Sequence, residues 1–147
     1  MSEVTLSTDA ALPPGSSTSL SDAVVLVLER ELGPAAERCS VGLWIVEPSR
    51  VRELNLQWRD EDSATDVLSF STDAPPRSPE GPPVALGDVV IAPECVSPAV
   101  DGTHLGGLIL CAVHGTLHLL GHDHDDPERE AEMFGLQDRY SREVLER

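Results

Sequence analysis

Gly102-Thr-His-Leu-Gly-Gly-Leu-Ile-Leu-Cys-Ala-Val-His114-Gly-Thr-Leu-His118-Leu-Leu-Gly121-His122 contains no Asp, Glu, Lys or Arg. In a chain where charged residues make up 24%, such a gap marks a segment withdrawn from water. Its length would let a helix cross a bilayer. The histidines, threonines and glycines inside it favour instead a helix buried in a water-soluble domain. The segment reads as a central helix from Thr103 to Leu120, stopped by Gly121.

The remaining elements are arranged around that helix. Glu3 to Thr8 alternates weakly and predicts a short first strand. Ala10 to Ser19, rich in Pro, Gly and Ser, predicts a loop. Ser19 or Ser21 is expected to cap a helix running to Leu32, closed by Gly33-Pro34. Val41 to Val46 predicts a strand. Pro48 opens a helix through Arg59, with Val51, Leu54 and Trp58 at helical spacing. Asp66 to Ser71 predicts another strand. Residues 73 to 83, with five prolines, predict an exposed loop. Val89 to Ile91, after Gly87, predicts a last short strand, and Pro93 to Val96 a helical turn. Asp126-Pro127 opens a final helix reaching Leu145. Strands interleaved with helices, then helices alone, favour an α+β or α/β layered fold.

The 147 residues fit one domain, 1–147, of globular composition. Net charge is -16, and all ten basic residues are arginine. This acidity argues against nucleic-acid binding through bulk charge, though not against a local arginine or a metal that supplies positive charge. Aromatics at 3% argue against a surface of stacked aromatic platforms for single strands. Cys39, Cys95 and Cys111 form no C-x-x-C pair, as expected of a reducing compartment. They read as small buried apolar residues. Met-Ser-Glu at the start lacks the basic n-region of a secretory signal. These features together predict a cytoplasmic protein with no membrane partner.

His114 and His118, four residues apart on a helix, project from one face a turn apart. Gly121 lets the chain reverse and bring His124 to the same point. Three neutral imidazoles suit one Zn²⁺ per chain best, with Ni²⁺, Cu²⁺ or Fe²⁺ as alternatives, and leave a fourth position open, as catalytic sites do. Bound Zn²⁺ brings the pKa of water to about 7. His104 and His122 fall outside the expected ligand set. The histidine and glycine spacing also matches the metzincin peptidases, H-E-x-x-H-x-x-G-x-x-H, but position 115 is Gly where that chemistry needs a glutamate base.

His114-Gly-x-Leu-His118-Leu-x-Gly121-x-Asp123-His124 resembles the signature of the YbeY family of bacterial endoribonucleases and rRNA maturation factors. Asn55-Leu-Gln-Trp58-Arg59, Thr65-Asp66-Val67-Leu68-Ser69-Phe70 and Leu86-Gly87-Asp88-Val89-Val90-Ile91 resemble further blocks of that family in order and spacing. Trp58, Glu61, Ala64, Ser71 and His122 depart from its usual residues. The loss of a lysine at 61 makes the expected RNA groove less basic. The resemblance implies a four-stranded mixed sheet packed on helices, with a zincin-like central helix carrying the metal ligands. It implies zinc-dependent cleavage of single-stranded RNA in maturation of the 3′ end of 16S rRNA and in ribosome quality control. Partners would be rRNA and ribosomal proteins or a ribosome-associated GTPase.

The expected catalytic residues are His114 and Arg59, with Arg59 also gripping a substrate phosphate through its guanidinium fork. Asp123 is expected either to support a ligand imidazole or to serve a turn. Asp66 and Ser69 are expected to brace the sheet near the cleft, and Asp88 to serve a turn. No protein general base is identifiable. The alternatives are a zinc metallopeptidase and a non-catalytic ribosome-assembly factor with a structural metal.

Overall fold

The computed structural model describes residues 2–99 and 102–146. Four strands form one mixed sheet: β1 (Glu3–Thr8), β2 (Cys39–Ile45), β3 (Val67–Ser71) and β4 (Val84–Ile91). Their order is β1-β2-β4-β3, with β1, β2 and β4 parallel and β3 antiparallel at the edge. Four α-helices complete the described fold: α1 (Ser16–Leu32), α2 (Pro48–Arg59), α3 (His104–Leu119) and α4 (Pro127–Leu145). This is an α+β fold with helices on both faces of a four-stranded sheet.

Strand alternation sorts the side chains between two unequal cores. Val41, Leu43 and Ile45 of β2, with Leu86, Val89 and Ile91 of β4, face α1, α3 and α4 in the main core. Leu68 and Phe70 of β3, with Val90, face α2 in a smaller cluster around the fully buried Val51. The helix α3 packs on β3 and β4 and is flanked by α1 and α4, with α1 resting on β1 and β2. Burial of most of its length is the physical reason its sequence carries no Asp, Glu, Lys or Arg: an ionised side chain there would have no water to solvate it. Among the described residues no helix is long and apolar enough to cross a membrane.

The expected elements recur, with three corrections. The helix α1 begins at Ser16, ahead of both serines expected to cap it, because Gly15 (φ 81°) turns the chain in directly and no side-chain cap is used. The strand β4 begins at Val84 rather than Val89 and passes through Gly87. There the register with β2 shifts and Gly87 adopts φ 138°, a bulge conformation open to glycine. Trp58 shares its helical face with the fully buried Val51 yet is 64% exposed, because it borders an open depression on that face of the sheet. The proline-rich loop is pinned by Arg38, whose guanidinium donates to the carbonyls of Ser78 and Pro82.

Candidate metal centre and cleft

The helix α3 is capped at Thr103, whose hydroxyl accepts from Gly106 N–H at 3.0 Å. It ends in a Schellman motif: Gly121 N–H donates to His118 O and His122 N–H to Leu117 O, with Gly121 at φ 97°. The reversal brings His124 back over the last turns of the helix. One donor atom from each of His114, His118 and His124 then lies within 4.8 Å of the others. The Nε2 atoms of His114 and His118 are 3.1 Å apart. Two nitrogens on one tetrahedral zinc, each at about 2.05 Å, would be separated by about 3.3 Å.

The donor chemistry fits a borderline cation as well as the spacing does. The side-chain oxygen of Gln137 in α4 lies 2.7 Å from His114 Nδ1 and accepts its proton. The Nε2 of His114 is thereby left as a lone pair aimed at its partners. Burial lowers the His118 pKa, and the neighbouring His114 and His124 lower it further, while Asp123 and a hydrogen bond to the His122 backbone oppose the shift. The imidazole is thus kept neutral, as a ligand must be. Phe134 packs alongside, its ring 6.5 Å from His114 and 6.0 Å from His124.

Arg59 reaches the same cleft from the opposite side of the sheet. Its Nη2 donates to Ser69 O at 2.8 Å, on the outer edge of β3, and its guanidinium lies 5.7 Å from the centre of the Phe70 ring. Asn55, almost fully buried, holds the chain that follows: its carbonyl accepts from Glu61 N–H and its amide donates to Ser63 O. The cleft, about 390 Å³, is lined by the three histidines, Arg59, Asp123 and, from β3, Val67, Leu68, Ser69 and Ser71. The cleft therefore unites all the residues expected to bind metal and substrate.

Other expectations resolve plainly. Asp123 serves the turn: its carboxylate accepts from His124 N–H at 2.7 Å, and this bond holds its pKa below the usual carboxyl range. Ser69 braces the cleft by donating to Gly115 O at 3.0 Å, and Asp66 receives the Cys111 thiol. Burial and Asp66 together raise the Cys111 pKa, so it stays an inert thiol. All three cysteines are free. His104 meets Pro93 O and His122 meets Glu31, so both stand apart from the histidine group. Asp88 accepts from the Trp44 indole rather than serving a turn.

Gly115 explains the missing peptidase base. A β-carbon there would lie 2.5 Å from Val89 Cγ1, so the helix could not approach the sheet with a glutamate at this position. Two contributors escaped sequence reading, Gln137 and Phe134. They lie one turn apart in α4 beyond the motif, and only the packing of α4 on α3 brings them to His114.

Comparison with known proteins places this arrangement. The family model described as Endoribonuclease YbeY matches residues 12–144. An Endoribonuclease YbeY from Mycolicibacterium paratuberculosis is 35% identical over 144 residues, 92% of this chain and 80% of that protein. Another from Rhodococcus jostii is 37% identical over 92% of this chain and 78% of its own length. The solution structure of TM1509 from Thermotoga maritima superposes with a TM-score of 0.59 at 26% identity, covering 98% of this chain and 89% of that one. The chain belongs to the YbeY endoribonuclease family.

Proposed function

We propose that the protein is a zinc-dependent endoribonuclease for single-stranded RNA, acting in the cytoplasm on the 3′ end of small-subunit (16S) rRNA and in ribosome quality control. The observation that carries this reading is the meeting of three metal-competent imidazoles with one arginine in a single cleft, in a chain of this family.

His114, His118 and His124 would hold one Zn²⁺ at the cleft they line. When bound, the cation supplies a Lewis acid that polarises a phosphoryl oxygen and brings the acidity of water near neutrality. Arg59, anchored by one nitrogen on Ser69 O, keeps further N–H donors for a phosphate. Gln137 fixes the orientation and tautomer of His114. Asp123 stays ionised and serves the turn, so no protein carboxylate is assigned as base. Ribosomal proteins or a ribosome-associated GTPase would deliver so acidic a chain to its RNA.

The test is metal content and RNA cleavage by the native and His114→Ala proteins, purified identically. One zinc per chain with cutting of a single-stranded RNA, both lost in His114→Ala, is the expected result. A His114→Ala protein that lacks metal yet supports ribosome assembly in cells would replace catalysis with a structural role for the metal.

A further inference from the structure

A second depression, about 660 Å³, lies on the α2 face of the sheet. Trp44 from β2, Trp58 from α2 and Phe70 from β3 line it, with Arg50 and Asp88 among the polar residues. The chain has only two tryptophans, both are in this groove, and they are 41% and 64% exposed. A protein surface rarely leaves such large apolar rings exposed in one groove without a partner.

The groove has built features. Trp44 Nε1 donates to Asp88 Oδ1 at 2.8 Å, which fixes the indole by its polar edge. Gly42 makes room for this bond: a β-carbon there would lie 2.2 Å from Asp88 Oδ1 and 3.1 Å from Trp44 Nε1. The groove is also continuous with the metal cleft. Ser69 and Ser71 line both, and in the order β1-β2-β4-β3 no strand among the described residues lies beyond β3. Trp58 and Arg59, adjacent in the last turn of α2, divide between the two: Trp58 lines the groove and Arg59 the cleft.

We infer that this groove takes unstacked bases of the single-stranded RNA flanking the cleavage point, which stack on Trp58 and Trp44 while the backbone crosses the β3 edge past Arg59 to the histidines. The inference rests on the nuclease reading above for its substrate. Stacking needs no net positive charge, which suits a chain of charge -16 whose groove arginine, Arg50, is already paired with Glu53. A protein ligand is the other occupant of such a surface, but the shared β3 wall places the groove beside the strand being cut.

Because both tryptophans lie in the groove, their fluorescence reports on it alone. Zinc-loaded protein is mixed with a single-stranded decaribonucleotide, and emission is followed in the first moments before turnover. The expected result is quenching that saturates. In Trp58→Ala the Kd should rise roughly 5- to 150-fold, the range for one lost base stack. Trp58→Phe should recover much of the affinity. Leu56→Ala, at a half-exposed apolar residue of α2 outside the groove lining, should leave it unchanged. RNA that is cut without quenching, or with the same Kd and KM in Trp58→Ala, would overturn the groove and spare the nuclease reading. Quenching without cleavage under any metal would remove the nuclease reading and keep the groove.

Discussion

The helices α3 and α2 flank the same edge strand from opposite faces, and they deliver their functional residues in opposite ways. The helix α3 is enclosed, and its histidines emerge at its C-terminal end from a core of fully buried Leu108, Leu117 and Val113. The helix α2 is a charged surface helix that buries little beyond Val51 and Asn55 and holds Arg59 on its exposed last turn. The metal half of the cleft is thus tied to the stability of the whole fold. The arginine half is a surface attachment that can change without disturbing the core. A metal site needs donor atoms held to fractions of an ångström, whereas a phosphate clamp tolerates a mobile guanidinium.

Breaking the enclosed half should have the largest effect. Gly115→Glu would force a side chain against Val89 and bury a carboxylate, costing at least ~3 kcal/mol in urea unfolding. A stably folded Gly115→Glu protein would show that α3 can retreat from the sheet. Next is His118→Ala. At a zinc concentration about a thousandfold above Kd the native protein should gain ~4 kcal/mol of stability. The variant should gain almost none, as differential scanning calorimetry with and without zinc would reveal. Gln137→Leu removes only the acceptor for His114 Nδ1 and should weaken zinc binding roughly 10- to 100-fold. Gln137→Glu, which keeps an acceptor, should restore it.

Acidity tests the same half more gently. Burial lowers the folded His118 pKa beneath its ordinary value, so the unfolded chain binds the extra proton first. Stability without metal should therefore be complete above about pH 6.5 and fall as pH drops from there toward the folded pKa. Zinc affinity should decline in acid too, since protons compete for the imidazoles. Affinity flat down to pH 5 would remove His118 from the ligand set. The smallest effect on folding belongs to Arg59→Ala, within about 0.5 kcal/mol because the side chain is exposed. If Arg59 clamps the phosphate, RNA cleavage should nevertheless fall on the order of 10²-fold. A destabilised Arg59→Ala protein would mean that the two halves are less separable than their burial indicates.

The legible parts of this protein were those with local causes. The charge-free run from Gly102 to His122, the turn at Gly121 and the i, i+4 histidines specify a buried helix followed by a turn that gathers three histidines able to hold a metal. Periodicity and chain reversal act over a few residues and are written into them. The Pro48 start of α2 and the Asp126 cap of α4 were legible for the same reason. Composition counts residues without placing them: three of the five aromatics gather in one groove and Phe134 lies at the histidines.

Sequence by itself thus determined the helix, the grouping of its histidines with His124 and the absence of a peptidase base. Only the tertiary structure decided that Gln137 sets the His114 tautomer, that position 115 has no room for any side chain, and that Arg59 reaches the histidines across β3. Each of those depends on two elements distant in the chain meeting at van der Waals distance. That meeting is set by how the two cores pack on opposite faces of the sheet, which no local pattern records.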